Sequence, residues 1–394
     1  MAFQTPVLRE DEIAVLALID QLREDLRDSV AEPRRWFGTL RRMSFARAVQ
    51  GSNSIEGYDA SLDDVVAAVE GEPTLDADTE TQFALAGYRD AMTYVLQVAD
   101  DETLEVDEGL LKSLHFMMLK HDLTKNPGRW RPGAIYVRRE SSGEIVYEGP
   151  PHDEIPRSIA EMLAQLDGED DCPVLVKAAM AHLNLVLIHP FSDGNGRMAR
   201  CLQTLVLARD RVVAPTFSSI EEFLGRNTAA YYEVLADVGE GSWHPQNDPR
   251  PWVRFCMRAH YIQARTFLRR RQEAEALWNG SLALATAHGL PERCAAGLMD
   301  AAYGLRLRRG SYQAVVTSVT GEEISNLTAS RDLKAMTDSD LLNAVGETRG
   351  RYYVGGDQVE QLSARVRKAR PPRSDDDPFA LVRRGRQLSF DAAN

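Results

Sequence analysis

The stretch His189–Arg200, "HPFSDGNGRMAR", decides how this chain is read. It follows the long apolar run "PVLVKAAMAHLNLVLI" and leads into "RMARCLQTLVLARD", which has the texture of a helix. Asp193-Gly194-Asn195-Gly196 is a turn sequence between the two. A glycine turn that feeds a helix N-terminus presents unpaired N–H groups and the positive end of the helix dipole, which suits an anion. Arg197 and Arg200 are three apart, share one helix face and add two cations with phosphate-matching forks. Asp193 stands at the mouth of the turn, where a carboxylate can hold Mg²⁺ against phosphate oxygens. His189, just before Pro190, supplies an imidazole able to take a proton near neutrality. Such a turn is more often only a turn, but base, carboxylate, backbone cradle and cations together are the parts of transfer to phosphorus.

The rest of the chain bounds that reading. With 394 residues, two or three domains are expected. A hydrophobic fraction of 44% and a charged fraction of 27% are those of a soluble globular protein, and a net charge of −13 argues against a general nucleic-acid or membrane binder. The four cysteines show no CxxC spacing, so a zinc site and a disulfide scaffold are not expected, and a reducing cytoplasm is. The start "MAFQTPVLREDE" lacks an apolar signal core, and no apolar stretch is long enough to span a bilayer.

Helical patterns dominate up to about residue 120, including "DEIAVLALIDQLREDLRD" and "SLDDVVAAVEG". Between residues 126 and 151, "PGRWRPGAIYVRR" and "GEIVYEGPP" read as a small hairpin. Helices return through "PWVRFCMRAHYIQARTFLRRRQEAEALW". Beyond about residue 290, three short helices and the hairpin "LLNAVGETRGRYYVG" have the layout of a winged helix-turn-helix, with "TASRDLKAM" as its recognition helix. The tail "RPPRSDDDPFALVRRGRQLSFDAAN" is proline- and charge-rich and is expected to be disordered.

"HPFSDGNGR" resembles the signature of Fic domain proteins, His-Pro-Phe-x-Asp/Glu-Gly-Asn-Gly/Lys-Arg, at every fixed position. The resemblance runs to about residue 260 and implies a helical core carrying a hairpin flap, and AMP transfer from MgATP (or MnATP) to a protein hydroxyl. It makes His189 the base and Asp193 the metal ligand. It makes Phe191 the loop's anchor and Ser192, Asp193, Gly194, Asn195, Gly196, Arg197 and Arg200 the nucleotide-binding set. The strand Val146, Tyr147, Glu148 and Gly149 resembles the flap that clamps a target by strand addition. Tyr231 and Tyr232 resemble the adenine-pocket helix; Gly239 falls where some relatives carry an asparagine, a departure from the pattern.

"SNSIEG" is similar to the family's inhibitory motif, with Ser52, Glu56 and Gly57 in the fixed places. Alone, Glu56 reads as a solvated helix-end carboxylate; upstream of an intact signature it implies a latch of the N-terminal-motif class, with Glu56 paired to Arg200. The expected organisation is a mainly α chain. It divides into an N-terminal helical region carrying the inhibitory helix (1–100), a Fic core with flap (101–285), a winged helix-turn-helix (286–370) and a disordered tail (371–394). The expected activity is that of an autoinhibited protein adenylyltransferase acting on a protein, itself included, in the cytoplasm. Two alternatives are an enzyme that also removes AMP, and a Fic-fold DNA-binding regulator with little catalysis. Ser330, Arg331 and Lys334, with Arg349 and Arg351 at the wing tip, are the candidate DNA face, and a homodimer is a further expectation. His182 reads as a hydrogen-bonded core histidine.

Overall fold

The structure is a computed structural model that describes all residues except 32–33, 139–141, 169–171, 212–216, 348–349, 373–375 and 393–394. It is mainly helical, with two small antiparallel hairpins among the described residues, as expected. At the centre lie α7 (Val174–Ile188) and α8 (Asn195–Arg209), packed against each other and buried on nearly all sides. An apolar run with no polar face has to sit inside other helices, and here α4 (Thr79–Val98), α5 (Glu108–Leu119), α6 (Ile155–Asp167) and the first half of α11 (Arg250–Ala287) enclose it. The N-terminus is tied in as well: the Phe3 N–H donates to Asn184 Oδ1 on α7 at 2.8 Å, and the Phe3 ring is buried.

A second core gathers α12 (Cys294–Ala302), α13 (Arg309–Thr320), α14 (Asn326–Asp338), the β3–β4 hairpin (Leu342–Val345, Tyr352–Gly355) and α15 (Asp357–Ala369). The β3–β4 hairpin is antiparallel, its register running from Leu342 opposite Gly355 to Val345 opposite Tyr352. Asp332, which the sequence places beside the candidate recognition face, is instead buried, gripped by Arg293 at 2.7 and 2.9 Å and by the Tyr312 hydroxyl at 3.0 Å. Ser330, Arg331 and Lys334 are exposed, Lys334 pairing with Asp338; Arg351 is exposed, and Arg349 lies outside the described residues.

One apolar cluster runs from Ala2 through α2 (Phe37–Ile55) and α8 to Ile262 and on to Leu305 and Phe379, so the regions expected at 1–100 and 101–285 share a core. The tail is not wholly disordered: α16 (Pro378–Ala392) lies on α1 (Glu10–Ala31). Phe379 is buried there under Arg254, whose guanidinium carbon stands 3.8 Å from the ring centroid. An aromatic anchor that buries its face and meets a cation offsets the ordering entropy that composition alone suggested would win.

Helix α2 links the two cores. Trp36, just before its first residue, and Leu40 join the second core, whereas Met43, Val49 and Ile55 join the first. Arg42 bridges Glu70 of α3 (Leu62–Glu70) at 2.7 Å and Asp300 of α12 at 2.5 Å. Further along, α2 crosses α9 (Glu221–Arg226) so closely that a Cβ on Gly225 would lie 2.6 Å from the Gly51 Cα. Only glycine permits that approach.

Candidate active site

The loop between α7 and α8 is built by its own side chains. His189 ends α7 in the left-handed region (φ 51°), its N–H donating back to the Leu185 carbonyl. Gly194 caps α8 at φ 74°, where a Cβ would meet Leu119 at 3.1 Å, so glycine is required. Asn195 does not offer its amide to a ligand: Oδ1 accepts the Phe191 N–H and Nδ2 donates to the Phe191 carbonyl, both at 2.9 Å. The side chain closes the loop, and the N–H groups of the first turn of α8 are left as the cradle. Phe191 is buried, stacked on His115 at a 3.7 Å centroid separation and against Trp130. Ser192 is exposed beside it.

His115 was not foreseen from the sequence. Its Nδ1 accepts the Gly128 N–H at 2.8 Å, so Nε2 carries the proton and donates to the Asp193 carbonyl at 2.9 Å. Burial pushes its pKa down to about 4, which keeps this bracket neutral. Arg131 is a second unforeseen support. Its backbone N–H donates to the Pro190 carbonyl and its Nε to the His189 carbonyl at 2.8 Å, while Nη2 reaches Pro150 O at 2.5 Å and Nη1 meets Gly133 O. A single buried guanidinium thus ties the flap's two ends to the α7–α8 loop. The only sequence trace of either residue is an ordinary His or Arg between helix and turn signals.

His189 is half-buried, and its Nδ1 lies 3.0 Å from the Val186 carbonyl, so Nδ1 holds the proton and Nε2 is free to accept one. Burial lowers its pKa, favouring that neutral form. Burial works against ionisation of Asp193, but its hydrogen bond to Lys125 and the charge of Arg197 hold the carboxyl below the usual range. Lys125 Nζ lies 2.8 Å from Asp193 Oδ2, and the Gly194 N–H reaches Oδ1 at 2.6 Å. An ionised carboxylate already carrying one cation is chemically fit to hold Mg²⁺ or Mn²⁺. Among the described residues no cluster of three or more metal-type side chains forms, so phosphate and water oxygens would have to complete the shell.

The distant "SNSIEG" reaches this loop. Arg200 is fully buried; its Nε donates to Ser52 Oγ at 2.7 Å, and its Nη2 to Ser52 O at 2.9 Å and Glu56 Oε1 at 2.6 Å. Burial opposes the Arg200 charge, yet the Glu56 carboxylate raises its pKa well above the ordinary value. Glu56 caps α2, and Gly57 follows at φ 83° with Tyr58 N–H bonded back to Asn53 O. This is a helix-ending turn that only glycine makes readily. The Glu56 carboxylate lies over the start of α8: a Cβ on Gly196 would stand 2.4 Å from its Oε1. Arg197 is also buried and lies under the Tyr58 ring.

The flap forms as expected, β1 (Tyr136–Arg138) pairing antiparallel with β2 (Ile145–Glu148). Tyr147 points inward rather than toward a target: it is buried, its hydroxyl donates to Leu187 O at 2.7 Å, and its ring packs where a Gly239 Cβ would be 3.2 Å away. Gly239 is therefore the seat of the flap's anchor. Val146 and Gly149 are half-buried and Glu148 exposed. The two tyrosines of α10 (Thr228–Gly239) also part company. Tyr231 is buried and bonds His182, which in turn bonds Gln203, so His182 is the core histidine expected. Tyr232 is exposed, and its hydroxyl donates to Ile55 O, next to Glu56, at 3.2 Å.

The model of the Fic/DOC family matches residues 105–207, so the chain contains a Fic domain. Over 227 residues it is 27% identical to protein adenylyltransferase Fic of Nematostella vectensis, covering 55% of this chain and 47% of that protein. Protein adenylyltransferase fic-1 of Caenorhabditis elegans is 26% identical over 262 residues, 64% of this chain and 46% of that one. The chain spans about half the length of the curated relatives it matches. The crystal structure of a Fic family protein from Desulfovibrio desulfuricans G20 shares the fold at a TM-score of 0.56 and 22% identity, covering 90% of this chain and 98% of that one. C. elegans Fic-1 does so at 0.52 and 23%, covering 65% and 72%.

Proposed function

We propose that this chain transfers AMP from ATP to a hydroxyl of a protein, itself included, releasing pyrophosphate, and that Glu56 restrains the transfer by occupying Arg200. The observation that carries the reading is the joining of three groups at one helix end: a base-competent His189 Nε2, the α8 cradle, and Arg200 held by Glu56. Nε2 would take the proton of the target hydroxyl as its oxygen bonds the α-phosphorus. The bond from that phosphorus to the bridging oxygen of the β-phosphate breaks, and pyrophosphate leaves. First-turn N–H groups, Arg197 and Arg200 would hold the charge that develops. Held at Asp193, Mg²⁺ or Mn²⁺ would supply further neutralisation of the phosphates.

Docking of an extended target segment on the flap belongs to the same reading; the Glu148 N–H is already held by Gly241 O at 3.0 Å, so such a segment would have to pair along β2 before Glu148. ATP as substrate fits a cytoplasmic setting. Removal of AMP is a second reading, favoured by one fact: the Glu56 carboxylate stands inside the cradle, where it could direct a water. Incubation of the full chain with α-labelled ATP tests the reading. Labelled protein is expected, and label that persists at the same level in His189→Ala overturns it.

A further inference from the structure

Arg197 is among the most enclosed side chains of the protein, about 1% exposed, yet its Nε and Nη1 have no hydrogen-bond partner. A buried guanidinium with idle donors is costly unless something else stabilises its charge. What it meets is the half-buried ring of Tyr58, whose centroid lies 5.3 Å from the guanidinium carbon. An aromatic face at this range stabilises the cation without using any of its N–H groups. The fork stays available for phosphate oxygens.

Tyr58 owes its place to the same turn that places Glu56. The Tyr58 N–H bonds Asn53 O at 3.1 Å, closing the α2 terminus around Gly57. One seven-residue segment, 52–58, therefore delivers a carboxylate to Arg200 and a ring to Arg197. The two contacts have opposite consequences for an incoming polyphosphate. Glu56 uses up donors and adds negative charge where phosphate would lie. Tyr58 adds no negative charge and leaves the donors idle.

We propose that Tyr58 is a positioning residue for Arg197, so that the inhibitory segment both blocks and supports the phosphate site. The proposal rests on the reading of this loop as a nucleotide site. It also constrains how the latch opens: Glu56 withdraws as a side chain while the turn stays folded, because unfolding the turn would strip Tyr58 from Arg197.

The test is calorimetric binding of ATP, ADP and adenosine to the full chain, wild type and Glu56→Gly, each with Tyr58 intact or changed to Leu or Phe. In the Glu56→Gly background, Tyr58→Leu is expected to weaken ATP and ADP by roughly 3- to 30-fold. Adenosine binding should be unaltered, and Tyr58→Phe should retain nucleotide affinity because it keeps the ring face. Thermal midpoints and the adenosine control separate this from loss of fold. ATP binding as tight as or tighter than that of Glu56→Gly alone would overturn the positioning role and leave the proposed function standing. If Tyr58→Leu weakens ATP but Glu56→Gly does not strengthen it, the latch fails and the positioning role survives. Absence of ATP binding by every variant overturns both.

Discussion

Removing the Glu56 carboxylate should raise ATP affinity by a factor that can be worked from the geometry. Oε1 lies 2.6 Å from Arg200 Nη2, the arginine side chain is fully buried, and the glutamate side chain is 22% exposed. Opposite charges about 4 Å apart at an effective dielectric near 20 interact by roughly 4 kcal/mol. Desolvation of both groups offsets part of this. A net 2–3 kcal/mol corresponds to roughly 30- to 150-fold in binding. The gain can be realised because Arg200 does not depend on Glu56 for its place: Ser52 holds Nε and Nη2 through its hydroxyl and carbonyl. Glu56→Gly should therefore leave an ordered cation facing the cradle, at a conformation (φ −92°, ψ 9°) glycine tolerates. Glu56→Gln keeps the shape without the charge and should fall between. The variant loses an ionic partner for a buried arginine, so its thermal midpoint without nucleotide should drop, and saturating ATP should more than recover it. Calorimetric titration with ATP, beside incorporation of labelled AMP, reads both. Equal ATP dissociation constants for wild type and Glu56→Gly would refute the reasoning, whatever the rates do.

Four further outcomes follow from the same contacts. His189→Ala should reduce AMP transfer by at least about 100-fold while ATP affinity changes little, because the cradle belongs to α8; single-turnover kinetics with a direct binding titration check this. The His189 pKa is lowered by burial, so the neutral base persists as pH falls through 6.5 and is lost only below it; the acid limb of kcat for Glu56→Gly should lie under pH 6.5, and a limb centred above 7 contradicts the assignment. Arg131→Ala removes ties to His189 O, Pro150 O and Gly133 O together, and should cut kcat more than tenfold with little change in ATP affinity, with no rescue by Lys, which lacks the fork. Arg42→Ala leaves Asp300 buried without its partner, and a stability loss of about 3–5 kcal/mol is expected from denaturant titration.

The sequence was most informative where a residue's role is local. Gly194 could be placed because the turn sequence into a helix was legible, and Asp193, Arg197 and Arg200 because a helix N-terminus dictates what faces an anion; Gly57 came only from the resemblance of "SNSIEG" to the inhibitory motif. Roles that depend on pairing across many residues were not legible. Nothing in "SLHFMML" says that His115 stacks on Phe191, seventy-six positions on, or that its tautomer braces Asp193. The resemblance put Asn195 in the nucleotide-binding set, but nothing in the sequence says that both ends of its side-chain amide are taken by Phe191, which leaves only its backbone N–H for that part. Tyr147 and Tyr231 looked like ligand-facing aromatics, whereas their hydroxyls find Leu187 O and His182 inside the core. In each case an unsatisfied buried group was claimed by the nearest partner in space, which sequence distance hides.

The same limit hides how the N-terminal helices join the rest: α2 is held by glycine contact with α9, by Arg42 with Asp300, and by Ser52 and Glu56 with Arg200. A helix fixed at both ends and along its length cannot be a detachable arm. If Glu56 is a latch, it opens against a rigid backbone, so the energetic cost of opening is the ion pair itself rather than the unfolding of a domain. Latch strength is then set at Arg200, the residue that an incoming phosphate would also claim. Ligand and latch compete directly for one guanidinium, and sufficient ATP should titrate the inhibition away without any second site.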